Sequence, residues 1–322
     1  MTVDTYPKYP GFTLHTVEDF TTPMDLDNDP IFTWSDGSPA DGQTRFRKAN
    51  IVFADGKMMI KAESPCAAMT GNSKCIKAAE AGANSFAEPD LNKTQGLIGD
   101  MGVWSGEFRT KYNNYRYGRY EAKFKAPTAN PGHETEANTA GGFLSTLFAF
   151  RSPKWSIWNE IDIELEGSIP TTLAGNVLNV AGRTGYPGDA NNAFTTTQGL
   201  PAGYKNVDSH VYAFTWLPTS IDWYVDGVLA KTFKGGAATA GNVPIPTVSA
   251  KIMMNLWVFS GTPFGTGANN HYPMQAEYEY FRFYKADTVE TVYPCSPAPA
   301  CLPAADKSAS AQNNPTEKNY GM

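Results

Sequence analysis

No stretch constrains this chain more than Trp158-Asn159-Glu160-Ile161-Asp162-Ile163-Glu164-Leu165-Glu166-Gly167. Apolar and acidic residues alternate through it with period two, the pattern of a strand that buries one face. Ile161, Ile163 and Leu165 then point to a core, while Trp158, Glu160, Asp162, Glu164 and Glu166 share the other face. Successive carboxylates on that face lie about 6.5–7 Å apart at Cα, close enough for each to raise the pKa of the next. Three readings stay open. The residues form a solvated acidic face; or they bind calcium or magnesium, although such ligands usually converge from a curved loop; or two of them act as acids on a glycosidic bond. Retaining glycosidases hold their two carboxyls roughly 5–5.5 Å apart. Glu160 and Glu164 start about 13 Å apart at Cα, and side chains leaning together close most of that gap. Asp162 between them is placed to hydrogen-bond the nucleophile.

Composition narrows the partners. The net charge of −6 and the absence of a Lys/Arg block argue against nucleic acid and anionic membranes. An aromatic content of 13% provides platforms for sugar rings, though β-sandwich cores consume aromatics too. A neutral polysaccharide fits this chain better than a sulfated one. No apolar run reaches the 18 or more residues of a membrane span, and the start Met1-Thr2-Val3-Asp4-Thr5-Tyr6 lacks the regions of a signal peptide. The four cysteines fall in two local pairs, Cys66/Cys75 and Cys295/Cys301. Pairing neighbours gives two small disulfide loops and places the chain in an oxidising, extracellular compartment, its signal removed or its export by another route. Thiols left free are the alternative.

Short alternating runs with Gly and Pro turns continue along the chain, with almost no helical periodicity. Asp55-Gly56 and Asp226-Gly227 each join two strand-like runs, as in hairpins. Residues 63–100 are polar and rich in small residues, helical if anywhere around Ile76–Ala81, and read as a long inserted loop. Residues 287–322, rich in Pro, Ala, Ser and Asn, read as a tail without a core after a single domain over 1–286. The fold class expected is an all-β antiparallel sandwich.

Glu160-Ile161-Asp162-Ile163-Glu164 resembles the active-site strand of family 16 glycoside hydrolases, in the form without a bulge residue found in licheninases and xyloglucan-active relatives. Gly106–Thr110, Tyr117–Pro127 and above all Lys251–Trp257 resemble other strands of the same family. The resemblance implies a jelly roll with a concave substrate cleft. It makes Glu160 the nucleophile, Glu164 the acid/base and Asp162 their helper. It puts Glu107, Arg109, Phe150, Trp158, Asn179, Asn255 and Trp257 on the sugar. A structural calcium ion in related enzymes makes Glu279 a candidate ligand, with no cofactor needed for the chemistry. Two departures stand out: the aromatic expected after Asn179 is missing, and Glu166 replaces an apolar residue.

The implied function is endo-hydrolysis of a β-glucan with retention, mixed-linkage β-1,3-1,4-glucan first, by a secreted monomer. A β-1,3-glucanase and a glucan or xyloglucan transglycosylase are the enzymatic alternatives. A non-catalytic β-glucan recognition protein is the other class, but it would be expected to lose one or both glutamates.

Overall fold

The computed structural model describes residues 6–36, 44–63, 103–128, 142–151, 157–181, 192–236, 242–258 and 272–289, with backbone alone at 157–158 and 180–181. The first strands are β1 (Phe12–Glu18), β2 (Phe32–Trp34), β3 (Thr44–Phe46), β4 (Ile51–Ala54), β5 (Lys57–Ala62), β6 (Val103–Ser105), β7 (Glu107–Thr110) and β8 (Gly118–Lys125). Then come β9 (Phe143–Phe150), β10 (Ile157–Glu166), β11 (Leu173–Ala181), β12 (Phe194–Thr196) and β13 (His210–Leu217). The last are β14 (Ser220–Val225), β15 (Val228–Gly235), β16 (Asn242–Val243), β17 (Lys251–Val258) and β18 (Met274–Ala286).

Two sheets carry the fold. A seven-stranded sheet runs β12-β11-β10-β9-β17-β7-β2. A nine-stranded sheet runs β16-β15-β14-β13-β8-β18-β5-β4, with β1 also paired to β18. Neighbouring strands are antiparallel apart from β15–β16 and the short separate pair β3–β6. The expected all-β sandwich is what forms. Both Asp-Gly hairpins are present, and their turn residues all have positive φ: 53° and 70° at Asp55 and Gly56, 49° and 81° at Asp226 and Gly227. That backbone twist matches the twist of the strands it joins, which is why the sequence Asp-Gly recurs there.

The core lies between the sheets. Ile161, Ile163 and Leu165 of β10 pack there with Trp216 and Trp223 of the larger sheet, all of them buried. Each such apolar side chain contributes about 1.5–3 kcal/mol on leaving water. Polar links cross the core where the site is built. Trp223 donates its indole N–H to the carbonyl of Asp162 at 2.9 Å. Tyr278 of β18 donates its hydroxyl to the carbonyl of Thr146 at 2.8 Å. Gly175 faces Ile163 across β10–β11, where a Cβ would meet the Asp162 carbonyl oxygen at 2.6 Å and the Phe194 ring at 2.8 Å. Only glycine lets β11 and the Phe194 ring close on the site strand.

The loop expected over residues 63–100, the four cysteines and the tail fall almost wholly outside the described residues. Strand β18 ends at Ala286.

Candidate active site

The period-two alternation of β10 survives in three dimensions and sets out the site. The strand pairs with β9 on one side and β11 on the other, so residues directly opposite share a face. Glu160 stands between Phe150 and Leu178, Asp162 between Phe148 and Asn176, and Glu164 between Thr146 and Ala174. Strand β17 continues two of these rows, with Lys251 opposite Phe150 and Met253 opposite Phe148. Beyond β17, β7 sets Arg109 opposite Met253 and Glu107 opposite Asn255. Phe148, Phe150 and Met253 form an apolar cluster separate from the main core, so this face is the one turned away from the sandwich interior. Trp257 opposes Leu144, which opposes Glu166, in the last row.

A hydrogen-bond chain knits the third row together. Thr146 donates its hydroxyl to the side-chain oxygen of Asn255 at 2.7 Å and accepts the Asn255 backbone N–H at 3.2 Å. The Asn255 amide nitrogen donates to Glu107 at 3.0 Å. Ser35, just past β2, donates its hydroxyl to the other Glu107 oxygen at 2.5 Å and accepts Arg109 Nε at 3.0 Å. With both carboxylate oxygens engaged, Glu107 holds the Asn255 amide in one orientation beside Glu164's row.

Electrostatics separate the three β10 carboxyls. Asp162 is only 5% exposed, and burial together with the charges of Glu160 and Glu164 pushes its carboxyl well above the usual range. Glu164 is pushed up to about 8, by burial first and then by Glu166 and Glu160. A carboxyl at that value keeps its proton at neutral pH and can give it to a leaving oxygen. Glu160, four residues earlier on the same face, is partly exposed. The arrangement offers a proton donor and a nucleophile on one face, two residues either side of a buried acid.

The model of glycosyl hydrolases family 16 matches residues 69–280 of this sequence. The chain belongs to that family. Among relatives, it is 35% identical over 180 residues to a β-glucanase of Paenibacillus polymyxa, covering 55% of this chain and 63% of that protein. It is 35% identical over 183 residues to a β-glucanase of Bacillus subtilis strain 168, covering 56% of this chain and 63% of that protein. The matches thus span less than two thirds of these relatives' own length. The structure of Bacillus licheniformis β-glucanase superposes with a TM-score of 0.56 at 24% identity, over 86% of this chain and 99% of that one. The laminarinase catalytic domain of Thermotoga maritima gives 0.58 at 18% identity, over 85% and 98%. The fold is therefore the jelly roll of family 16.

Within that family fold, the residues singled out from sequence divide. Glu160, Asp162, Glu164, Phe150, Asn255 and Trp257 all stand on the site face, and the Trp158 side chain lies outside the described residues. Glu107 and Arg109 stand on it as well but are 0% and 2% exposed. Direct contact with sugar hydroxyls gives way there to a supporting part, because Ser35 and Asn255 take the Glu107 carboxylate. Asn179 stands on the other face. It pairs with Asn159, on the opposite face from Glu160, and its amide donates to the carbonyls of Pro244 and Ile245 at 3.3 and 3.0 Å. The asparagine facing the acids is Asn176, opposite Asp162. Asn179 lies two residues from the buried Val177 and shares its core face, which leaves Asn176 on the other. Ser35, Thr146 and Lys251 join the site only through the pairing of distant strands.

Calcium does not fit Glu279. Its carboxylate receives Lys123 Nζ at 2.7 Å and the Ser209 hydroxyl at 2.6 Å, so an ammonium stands where a cation ligand set would have to form. Against the cost of burial, those two contacts hold the carboxyl below its usual range. Among the described residues no three His, Cys, Asp or Glu gather to hold a metal ion.

Proposed function

We propose that this chain is a secreted, retaining endo-β-glucanase that cuts mixed-linkage β-1,3-1,4-glucan in preference to other glucans. The observation that carries the reading is the pairing of a proton-bearing Glu164 with Glu160 on one face of β10, across a buried Asp162. Family membership and the 35% identical β-glucanases support it.

In the first step a Glu160 oxygen attacks the anomeric carbon, and the bond from that carbon to the leaving oxygen breaks as Glu164 delivers its proton to that oxygen. A glycosyl ester on Glu160 results. Glu164, now ionised, takes a proton from water, and the oxygen of that water displaces Glu160 with a second inversion. The anomeric configuration is retained and both carboxyls return to their starting states. Asp162, protonated, donates a hydrogen bond that holds Glu160 in attacking position. Trp257, half-buried, offers apolar surface to a sugar ring, while the buried Phe150 and the Asn255 amide held by Glu107 and Thr146 form the floor beneath it. The two carboxyls and water supply every step, so the reading assigns no metal to the chemistry. The enzyme acts as a monomer, and Cys66–Cys75 and Cys295–Cys301, outside the described residues, are its disulfides.

The test is reducing-end release on lichenan, cereal β-glucan, laminarin, xyloglucan and agar, with the anomer of the first product read by NMR. Lichenan or cereal β-glucan is expected to be cut fastest, giving β-configured oligosaccharides. Faster release from laminarin would move the preference to β-1,3-glucan, and transfer to added oligosaccharide in place of water would make the chain a transglycosylase. Release from agar with lichenan untouched would overturn the substrate choice altogether.

A further inference from the structure

Strand β10 carries one more carboxylate than the proposed mechanism uses. Glu166 follows Glu164 on the same face, at the last residue of the strand, and is 9% exposed. Its position is built. The backbone carbonyl accepts the Asn206 side-chain amide at 2.9 Å, and the next residue, Gly167, donates its N–H to the Phe143 carbonyl at 3.0 Å. Burial raises the Glu166 carboxyl itself, and the Ser168 hydroxyl, a hydrogen-bond donor at 3.4 Å, opposes that rise. Across β9 it faces Leu144, an apolar neighbour that offers no counter-charge.

The other groups around Glu164 leave Glu166 the neighbour with most influence. From β9 and β11 the facing residues are Thr146 and Ala174, neither of which titrates. From β17 comes Asn255, and beyond it on β7 is Glu107, its charge bound by Ser35 and Asn255. On the strand itself Asp162 is buried enough to hold its proton, and Glu160 raises Glu164 less than Glu166 does. Arg109 and Lys251 stand on the rows of Asp162 and Glu160, away from the Glu166 end.

We infer that Glu166 is a positioning residue for the reaction: once ionised, its carboxylate, one strand repeat beyond Glu164, keeps the catalytic proton on Glu164 and extends turnover to higher pH. The inference rests on the acid/base part proposed for Glu164. Its direction agrees with the order of influences on Glu164, in which Glu166 comes directly after burial. At a separation of about 7 Å in a partly buried site, removing that charge is expected to move the titration of Glu164 down by on the order of one pH unit.

The experiment compares the pH profile of kcat/KM on lichenan for the wild type, Glu166→Gln and Glu166→Leu. The basic limb, which reports Glu164, is expected to fall about one unit earlier in either neutral variant. The acid limb, which belongs to the nucleophile four strand residues further away, is expected to stay. A purely structural part for Glu166 would scale the whole curve without moving a limb. The Glu164 carboxyl is also titrated by 13C NMR without substrate, so the inference is readable even from a protein that cuts none of the glucans tried. A wild type inactive on every glucan would sink the functional reading alone. A basic limb and a carboxyl titration both unmoved in a folded neutral variant would overturn the part given to Glu166.

Discussion

Replacing Glu164 by Gln should stabilise the protein at pH 8 while it disables the reaction. A carboxyl raised from an ordinary 4.5 to about 8 opposes folding wherever the unfolded chain has already released the proton. The sign follows directly. Below pH 4.5 the group is protonated in both states and has no net effect. As pH rises through 4.5 the unfolded chain loses the proton first, and the folded state falls behind until about pH 8. The full difference corresponds to about 4–5 kcal/mol, and sharing of the effect with Glu160 and Glu166 reduces it to about 2–4 kcal/mol. Gln fills the same volume, cannot ionise and escapes the penalty. With an unfolding entropy of about 2.1 cal/mol/K per residue over this chain, each kcal/mol is worth about 1.5 °C, so the melting temperature at pH 8 should rise by roughly 3–6 °C. At pH 4.5 the two proteins should melt within about 1 °C of the offset set by any pH-independent packing change. Thermal melts of both proteins at pH 4.5 and pH 8 measure this. An equal melting difference at the two pH values would show that the Glu164 carboxyl is not raised, and would remove the physical basis for its part as the acid.

Three further outcomes are expected. Glu160→Gln should lose essentially all turnover yet still bind oligosaccharide, while Glu164→Gln should keep much of its activity on aryl glycosides whose leaving group needs no proton, general acid help being worth about 10²–10⁴-fold; normal hydrolysis by Glu160→Gln would reassign the nucleophile. Gly175→Ala should cost about 1–3 kcal/mol in urea unfolding, because the new methyl would press on the Asp162 carbonyl and the Phe194 ring, and an unchanged midpoint would mean the close approach is relieved cheaply. Trp223→Phe should remove about 1–3 kcal/mol by leaving the buried Asp162 carbonyl without its donor, and should lower kcat more than it raises KM if that bond positions the strand.

What the chain determines by itself is local and periodic. Alternation in Glu160–Glu164 fixes which side chains share a face whatever the partners of the strand, because the side-chain period of a β-strand is two. The Asp-Gly pairs at 55–56 and 226–227 were legible for a similar reason: they supply the positive φ that a tight hairpin demands. Pairing between strands is another matter. Asn179 was expected on the sugar and lies on the opposite face, because the register of β11 against β10 sets it beside Asn159 and brings Asn176 to Asp162. A displacement of one residue reverses the face of every side chain, and no motif in β11 announces the register. Likewise the network from Ser35 through Glu107 to Asn255 joins residues 72 and 148 positions apart. The proton on Glu164 belongs mainly to the tertiary structure. Sequence places carboxylates two residues apart, but the burial that heads the influences on Glu164 exists only once the strands on either side have closed around it.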